Sequence, residues 1–274
     1  MSETKQQPPV AKRPSAISPK TRALTLCALP VVALFAVAAF VPLPYTLESP
    51  GVTADTLGQY QGRQVITITG APVRATTGQL RAVTISATNP GERNSLWDSL
   101  LAWTDPKQAV VPTEQVYPQS DPDKAQQVTE QQMTESQDSA TLAALGYLHL
   151  SPAQVKVVID LGDIGGPSAG QMLALGIVDK LAGDGKGGDL TGGRIVAGTG
   201  TVDADGRVGE VGGVPLKTQA AARDGATVFL VPRGECAQAK VNTPAGLQLV
   251  PVDTLADSIA ALGALNSGGA VAHC

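Results

Sequence analysis

Residues 155–181 read VKVVIDLGDIGGPSAGQMLALGIVDKL, and the fold of this chain turns on how they divide. VKVVIDL (155–161) is strongly apolar and rich in β-branched residues, which predicts a strand. GDIGGP (162–167) is a turn, and SAGQMLALGIVDKL (168–181) has the spacing of an amphipathic to buried helix. That order places Ser168 at the head of a helix, between glycines. It is either a nucleophile or part of a tight turn that starts the helix.

The pattern continues outward on both sides. A glycine-rich loop, AGDGKGGD (182–189), leads to strands RIVAGTGTV (194–202) and RVGEV (207–211), joined at Asp205-Gly206, a good hairpin signal. A helix (215–223), strands at 226–232 and 247–252, and a helix (253–264) follow. Upstream, 121–148 reads as a long, mostly solvated helix stopped near Gly146. Residues 95–103 have helical spacing ended by Asp105-Pro106, and 64–70 and 79–88 alternate as strands do. Residues 42–51 are extended and proline-stiffened. The order is that of an α+β or α/β protein, and α+β with a mixed sheet is the class assigned.

Composition sets outer limits. Of 274 residues 43% are hydrophobic but only 3% aromatic, so a core must be built from Val, Leu, Ile and Ala. The 30 glycines and 20 prolines are spread along the chain, implying many turns rather than a repeat. The net charge is −4, and the body has no basic cluster, which argues against nucleic-acid binding.

Residues 1–22 carry Lys5, Lys12, Arg13, Lys20 and Arg22 against Glu3 alone. ALTLCALPVVALFAVAAFV (23–41) follows without a charge, long enough to cross a bilayer as a helix. The basic flank predicts a cytoplasmic N-terminus and an exported body. The anchor span is drawn at 23–43. A signal peptide cleaved near Ala36-Val37-Ala38 is the rival reading, and the long basic region before the apolar stretch favours an uncleaved anchor. Cys236 and Cys274 would lie in the exported body, where pairing is permitted; two unrelated thiols fit as well.

Gly166-Pro167-Ser168-Ala169-Gly170 fits G-x-S-x-G after a strand and before a helix, the context of a nucleophile elbow. A helix N-terminus offers N–H groups to a developing oxyanion. The serine needs a base. His149 precedes it and His273 is penultimate, so neither suits a Ser-His-Asp order, and an esterase of α/β-hydrolase type would need His273. Lysine is the remaining base type. Lys180 lies over three turns along the serine's own helix, Lys186 is in the glycine-rich loop, and Lys240 reads as exposed. Lys217 differs: Pro215 suggests helix position N1, so Lys217 falls in a first turn, beside Val214 and Leu216. The helix dipole and desolvation would both lower its pKa, as a general base requires. An ordinary surface lysine is the bland alternative.

DIGGPSAG (163–170) and AGTGTVDADGRVGEVGGVPLK (197–217) resemble the proteolytic domain of Lon-type peptidases, and more narrowly the membrane-anchored bacterial Lon-like peptidases of the YlbL type. ESPG (48–51) and LAWTDP (101–106) after an apolar span also look like this family, so the resemblance covers about residues 20 to 265. It implies Ser168 as nucleophile, Lys217 as base and Thr199 as the residue supporting the lysine. Gly165, Gly166 and Ala169 would surround the oxyanion site, with backbone N–H groups at the helix start, including that of Ser168, as donors. It implies a Lon-type proteolytic fold acting on protein or peptide substrates, and a homo-oligomeric ring, hexameric by resemblance. Three departures stand out. The PDZ module usual in the family has no room between Gly146 and Val155; the position three before the serine is Gly165 rather than acidic; and the segment from Ser168 to Lys217 is longer.

No cofactor is expected. GxxxxGK[ST] is absent, so ATP-driven unfolding is not encoded. Two distant histidines and three scattered cysteines make no metal-ligand set, and Asp203 and Asp205 read as turn residues. Trp97 and Trp103, on different sides of their helix, are each expected to pack on their own. The sequence therefore predicts an ATP-independent, membrane-anchored extracytoplasmic serine endopeptidase. The units would be a basic tail (1–22), anchor (23–43), an N-terminal part (46–150) and a catalytic part (151–266) of one Lon-like fold, and a flexible tail (267–274). The alternative is a catalytically idle Lon-like scaffold or binding protein in an envelope or secretion complex.

Overall fold

A computed structural model describes residues 18–274 apart from 42, 90, 91, 93, 118–121, 163 and 165. Residues 1–17 of the basic tail, and Gly165, lie outside the described residues. The chain opens with α1 (Pro19–Phe40), then β1 (Tyr45–Asp55), β2 (Gln59–Tyr60), β3 (Arg63–Gln64), β4 (Ile66–Thr69) and β5 (Gln79–Ala87). It continues through α2 (Leu96–Thr104), β6 (Ala109–Pro112), α3 (Thr113–Val116), α4 (Pro122–Tyr147) and β7 (Lys156–Ile159). After the 3-10 turn Pro167–Ala169 come α5 (Gly170–Leu181), β8 (Ile195–Gly198), β9 (Thr201–Val202), β10 (Val208–Gly209) and α6 (Val214–Arg223). β11 (Val228–Pro232), α7 (Cys236–Ala239), β12 (Gln248–Val252) and α8 (Leu255–Asn266) complete the order.

The architecture is mixed α/β. One six-stranded sheet runs β12-β11-β8-β5-β1-β6. Strands β12, β11, β8 and β5 are parallel, while β1 is antiparallel to β5 and β6. β1 carries a register shift between Pro50 and Thr53, the kind of bulge at which a proline is tolerated within a sheet.

Both faces of the parallel part are covered, so β11 is buried at every position, as parallel strands are. Val228 and Leu230 join Leu80, Val196 and Val250 in the core on one face, with α5 against them. Phe229 and Val231 point the other way, into a second core with Val83, Ala197 and residues of α6. Helix α5 is buried from Gly170 to Lys180; each of Met172, Leu173, Leu175 and Ile177, at 0–1% exposure, contributes about 2 kcal/mol of transfer free energy.

The strand expected over 155–161 forms as β7, but not as a buried sheet member. Among the described residues it pairs with β4 alone, antiparallel, in a separate two-stranded sheet, and Val158 is 64% exposed. A two-stranded ribbon leaves one face open, which a run of apolar residues does not announce. The Asp205-Gly206 hairpin joins β9 to β10, with Asp203 Oδ1 accepting the N–H groups of Asp205 and Arg207. The loop 182–189 is closed by Asp184, whose carboxylate accepts from Lys186 and Gly188.

Helix α1 stands apart from these cores, with its apolar span fully exposed. Its 22 residues reach about 33 Å, which matches a hydrocarbon core of roughly 30 Å. It is thus long and apolar enough to cross a membrane. The disulfide Cys236–Cys274 ties the last residue of the chain to the start of α7.

Candidate active site

Ser168 sits within the 3-10 turn that runs straight into α5, half-buried. Gly166 before it has φ 98° and ψ 158°, a conformation essentially reserved for glycine. A Cβ there would meet nothing within 4 Å, so the demand is on the backbone and not on space. Two carbonyls of the turn are pinned. Ser136 Oγ on α4 donates to Pro167 O at 2.9 Å. Gly200 N–H donates to Ser168 O at 3.0 Å, and Gln171 N–H donates back to Gly200 O at 3.1 Å. The start of α5 is thereby fastened to the link between β8 and β9.

Lys217 comes from the opposite face of the sheet, in the first turn of α6. Gly213 before that helix has φ 69°, and a Cβ on it would lie 2.8 Å from Ile85 Cγ2. Glycine at this cap lets the helix begin at Val214, so Pro215 is the second helical residue and not the first. Val214 and Leu216 are buried, and Lys217 itself is only 3% exposed.

The lysine meets the serine's turn through Thr199. Lys217 Nζ donates to Thr199 Oγ1 at 3.1 Å, and Thr199 Oγ1 donates to Ser168 O at 3.3 Å. Burial pushes Lys217 down to about 8, while the charges of Glu235 and Glu48 act upward on it. The same burial raises Glu235 and Glu48 above the usual carboxylate range, against the lowering effect of Lys217. Glu235 Oε1 accepts the N–H of Val211 at 3.1 Å, which holds the segment leading to Gly213.

Ser168 and Lys217 line one cleft of about 590 Å³. Glu48, Ile85, Tyr117 and Gly212 are also among its walls, whereas Thr199 is buried beneath it. Gly166 lines the cleft too, and Ala169 is buried just behind. Neither His149 nor His273 reaches it. Of the other lysines, Lys180 is also buried and depressed by desolvation, but it lies at the far end of α5.

The structure therefore brings together Ser168, Lys217 and Thr199, with Gly166 and Ala169 around the serine. Sequence reasoning missed Glu48 and Glu235. Glu48 stood inside a segment read only as extended and for its resemblance, and Glu235 has no local signal at all. A hydroxyl, a desolvated amine and a helix N-terminus in one cleft are the parts needed for nucleophilic attack on a carbonyl. Neither a scan of protein-family models nor a search of curated proteins gives a match to this chain.

Proposed function

We propose that this chain is an ATP-independent serine endopeptidase with a Lon-like proteolytic fold, anchored by α1 with its body outside the cytoplasmic membrane. The observation that carries the reading is the buried Lys217 ammonium site, hydrogen-bonded through Thr199 to the backbone of Ser168 and open to the same cleft. The disulfide Cys236–Cys274 supports a non-reducing compartment. Protein or peptide segments are the substrates, and a hexameric ring is the assembly that the resemblance suggests.

Neutral Lys217 takes the proton of Ser168 as Oγ bonds to the peptide carbonyl carbon. The carbonyl π electrons move to oxygen, where backbone N–H groups at the start of α5 stabilise the charge. The C–N bond then breaks as protonated Lys217 returns its proton to the leaving amine. Water, deprotonated by Lys217, attacks the acyl ester carbon, and the lysine passes that proton to Ser168 Oγ as the C–O bond breaks and the acid product leaves. Thr199 keeps the amine in place, burial lowers its proton affinity, and the charges of Glu235 and Glu48 partly restore it.

A second reading, an idle scaffold, is favoured by one detail: among the described residues Lys217 Nζ donates to Thr199 and to no serine oxygen. The two separate on cleavage of an unfolded protein without ATP, using the full chain in detergent micelles beside Ser168→Ala and Lys217→Ala. Cleavage that both substitutions abolish supports the peptidase. A folded, assembled wild type that cleaves nothing from about pH 6 to 10, a range spanning a lowered lysine pKa, supports the scaffold. Cleavage that survives Lys217→Ala assigns the base wrongly.

A further inference from the structure

Helix α2 is turned inside out for a protein surrounded by water. It buries its small residues, Ser99 and Ala102, against β1 and β6. Its large apolar residues face away: Trp97 is 65% exposed, Leu100 43%, Leu101 54% and Trp103 81%. At about 100° per residue, Trp97, Leu100 and Leu101 share the face opposite Ser99 and Ala102. The expectation that each tryptophan packs on its own is therefore corrected: neither is covered by the described residues of this chain. The helix is not frayed, since Ser95 and Asp98 form a reciprocal capping box.

Its position narrows what covers it. Leu43 N–H, just after α1, donates to Asn94 O at 3.0 Å, and Asn94 Nδ2 donates to Tyr45 O at 2.8 Å. Asn94 immediately precedes the capping residue of α2, and α1 and α2 touch. The exposed face thus begins where the apolar span ends. Tryptophan is the side chain best suited to the headgroup region, with an apolar body and one N–H donor.

We infer that α2 is an in-plane membrane helix: Trp97, Leu100 and Leu101 insert into the interfacial layer of the bilayer that α1 crosses, with Trp103 at the flank of that face, and this holds the catalytic body at a fixed tilt. The inference rests on the reading of α1 as a membrane span. The helix has Asp98 as its one charge, so insertion is apolar and independent of anionic headgroups.

The chain has two tryptophans and both lie on α2, so intrinsic emission reports on this helix alone. The full chain is reconstituted into phosphatidylcholine vesicles with bromine at shallow or deep acyl positions. The expected result is strong quenching, greater from shallow bromines, in wild type and in Trp103→Phe, which keeps Trp97 on the inserting face, and weaker quenching in Trp97→Phe, which keeps the flanking Trp103. Leu100→Lys with Leu101→Lys, at unchanged circular dichroism, should lose most of it. A chain that resists alkaline extraction yet shows unquenched tryptophan overturns the inference and leaves the anchor standing. If that unquenched emission changes with the protein-to-lipid ratio, the face belongs to a second copy instead. A chain washed off by alkali refutes the span, and the inference with it.

Discussion

Lys217 Nζ and Thr199 Oγ1 lie 3.1 Å apart, and among the described residues the lysine reaches the serine's turn through that oxygen. Thr199 is fully buried and off the cleft wall, so under the proposed mechanism it would act by positioning the lysine and not by touching substrate. Thr199→Val keeps the shape but strands a buried amine. It should lower kcat about tenfold to a hundredfold, part of what a well-placed base contributes, with KM little changed. Thr199→Ser should retain most activity. Steady-state kinetics on a peptide substrate check both, and an equal loss in the serine variant would reduce Thr199 to a packing role.

The protonation of Lys217 sets the second prediction. Only the neutral amine accepts a proton, so kcat/KM should rise with pH through about 8, following the free enzyme's base. Glu235 favours the ammonium. Glu235→Gln keeps an Oε1 acceptor for Val211 and removes that charge, so the amine loses its proton more readily and the rise moves to lower pH. A profile that stays in place would show that another group titrates.

Stability should rise with pH as activity does, but the substitution that removes this amine should separate the two. Lys217 is depressed from 10.5 to about 8 in the fold, so between those values the unfolded chain binds more protons and stability rises with pH. Below pH 8 the buried ammonium costs the fold on the order of 3 kcal/mol. Lys217→Met, which fills similar space without charge, should therefore raise the denaturant midpoint at pH 7 while abolishing cleavage. The gain should shrink as pH approaches 10. Chemical unfolding of both proteins at several pH values measures it, and a pH-independent difference would mean that Lys217 is not desolvated.

How far the sequence reaches is visible at particular residues. Thr199 came only from the family resemblance, whereas Ser168 and Lys217 could be singled out because turn glycines and a helix start are local signals. The hairpin at Asp205-Gly206 and the helix after Gly213 were legible for the same reason. What failed was partnership across space. An apolar run predicts the strand at β7 but not that, among the described residues, β4 is its one neighbour, which leaves Val158 exposed. Spacing places Trp97 and Trp103 on a helix, yet it does not say which face the sheet will take. Glu235 follows Lys217 by 18 positions and Glu48 precedes it by 169, and only the fold sets them beside one amine.

The disulfide gives the last prediction. It joins positions 38 apart, and in the chain-entropy account closing a loop of that size stabilises by about 4 kcal/mol. Both half-cystines pack on the second core, and Cys274 N–H donates to Leu249 O at 3.4 Å. Cys236→Ser and Cys274→Ser should each destabilise to a similar extent, and dithiothreitol should bring wild type to their level without affecting either variant. Function should follow as well, since Cys236 adjoins Glu235, whose carboxylate accepts from Val211 on the cleft wall. Release of the bridge should loosen that contact and move the pH–rate profile of the reduced wild type toward that of Glu235→Gln. A reduced protein with lower stability and an unmoved profile would confine the bridge to a structural role.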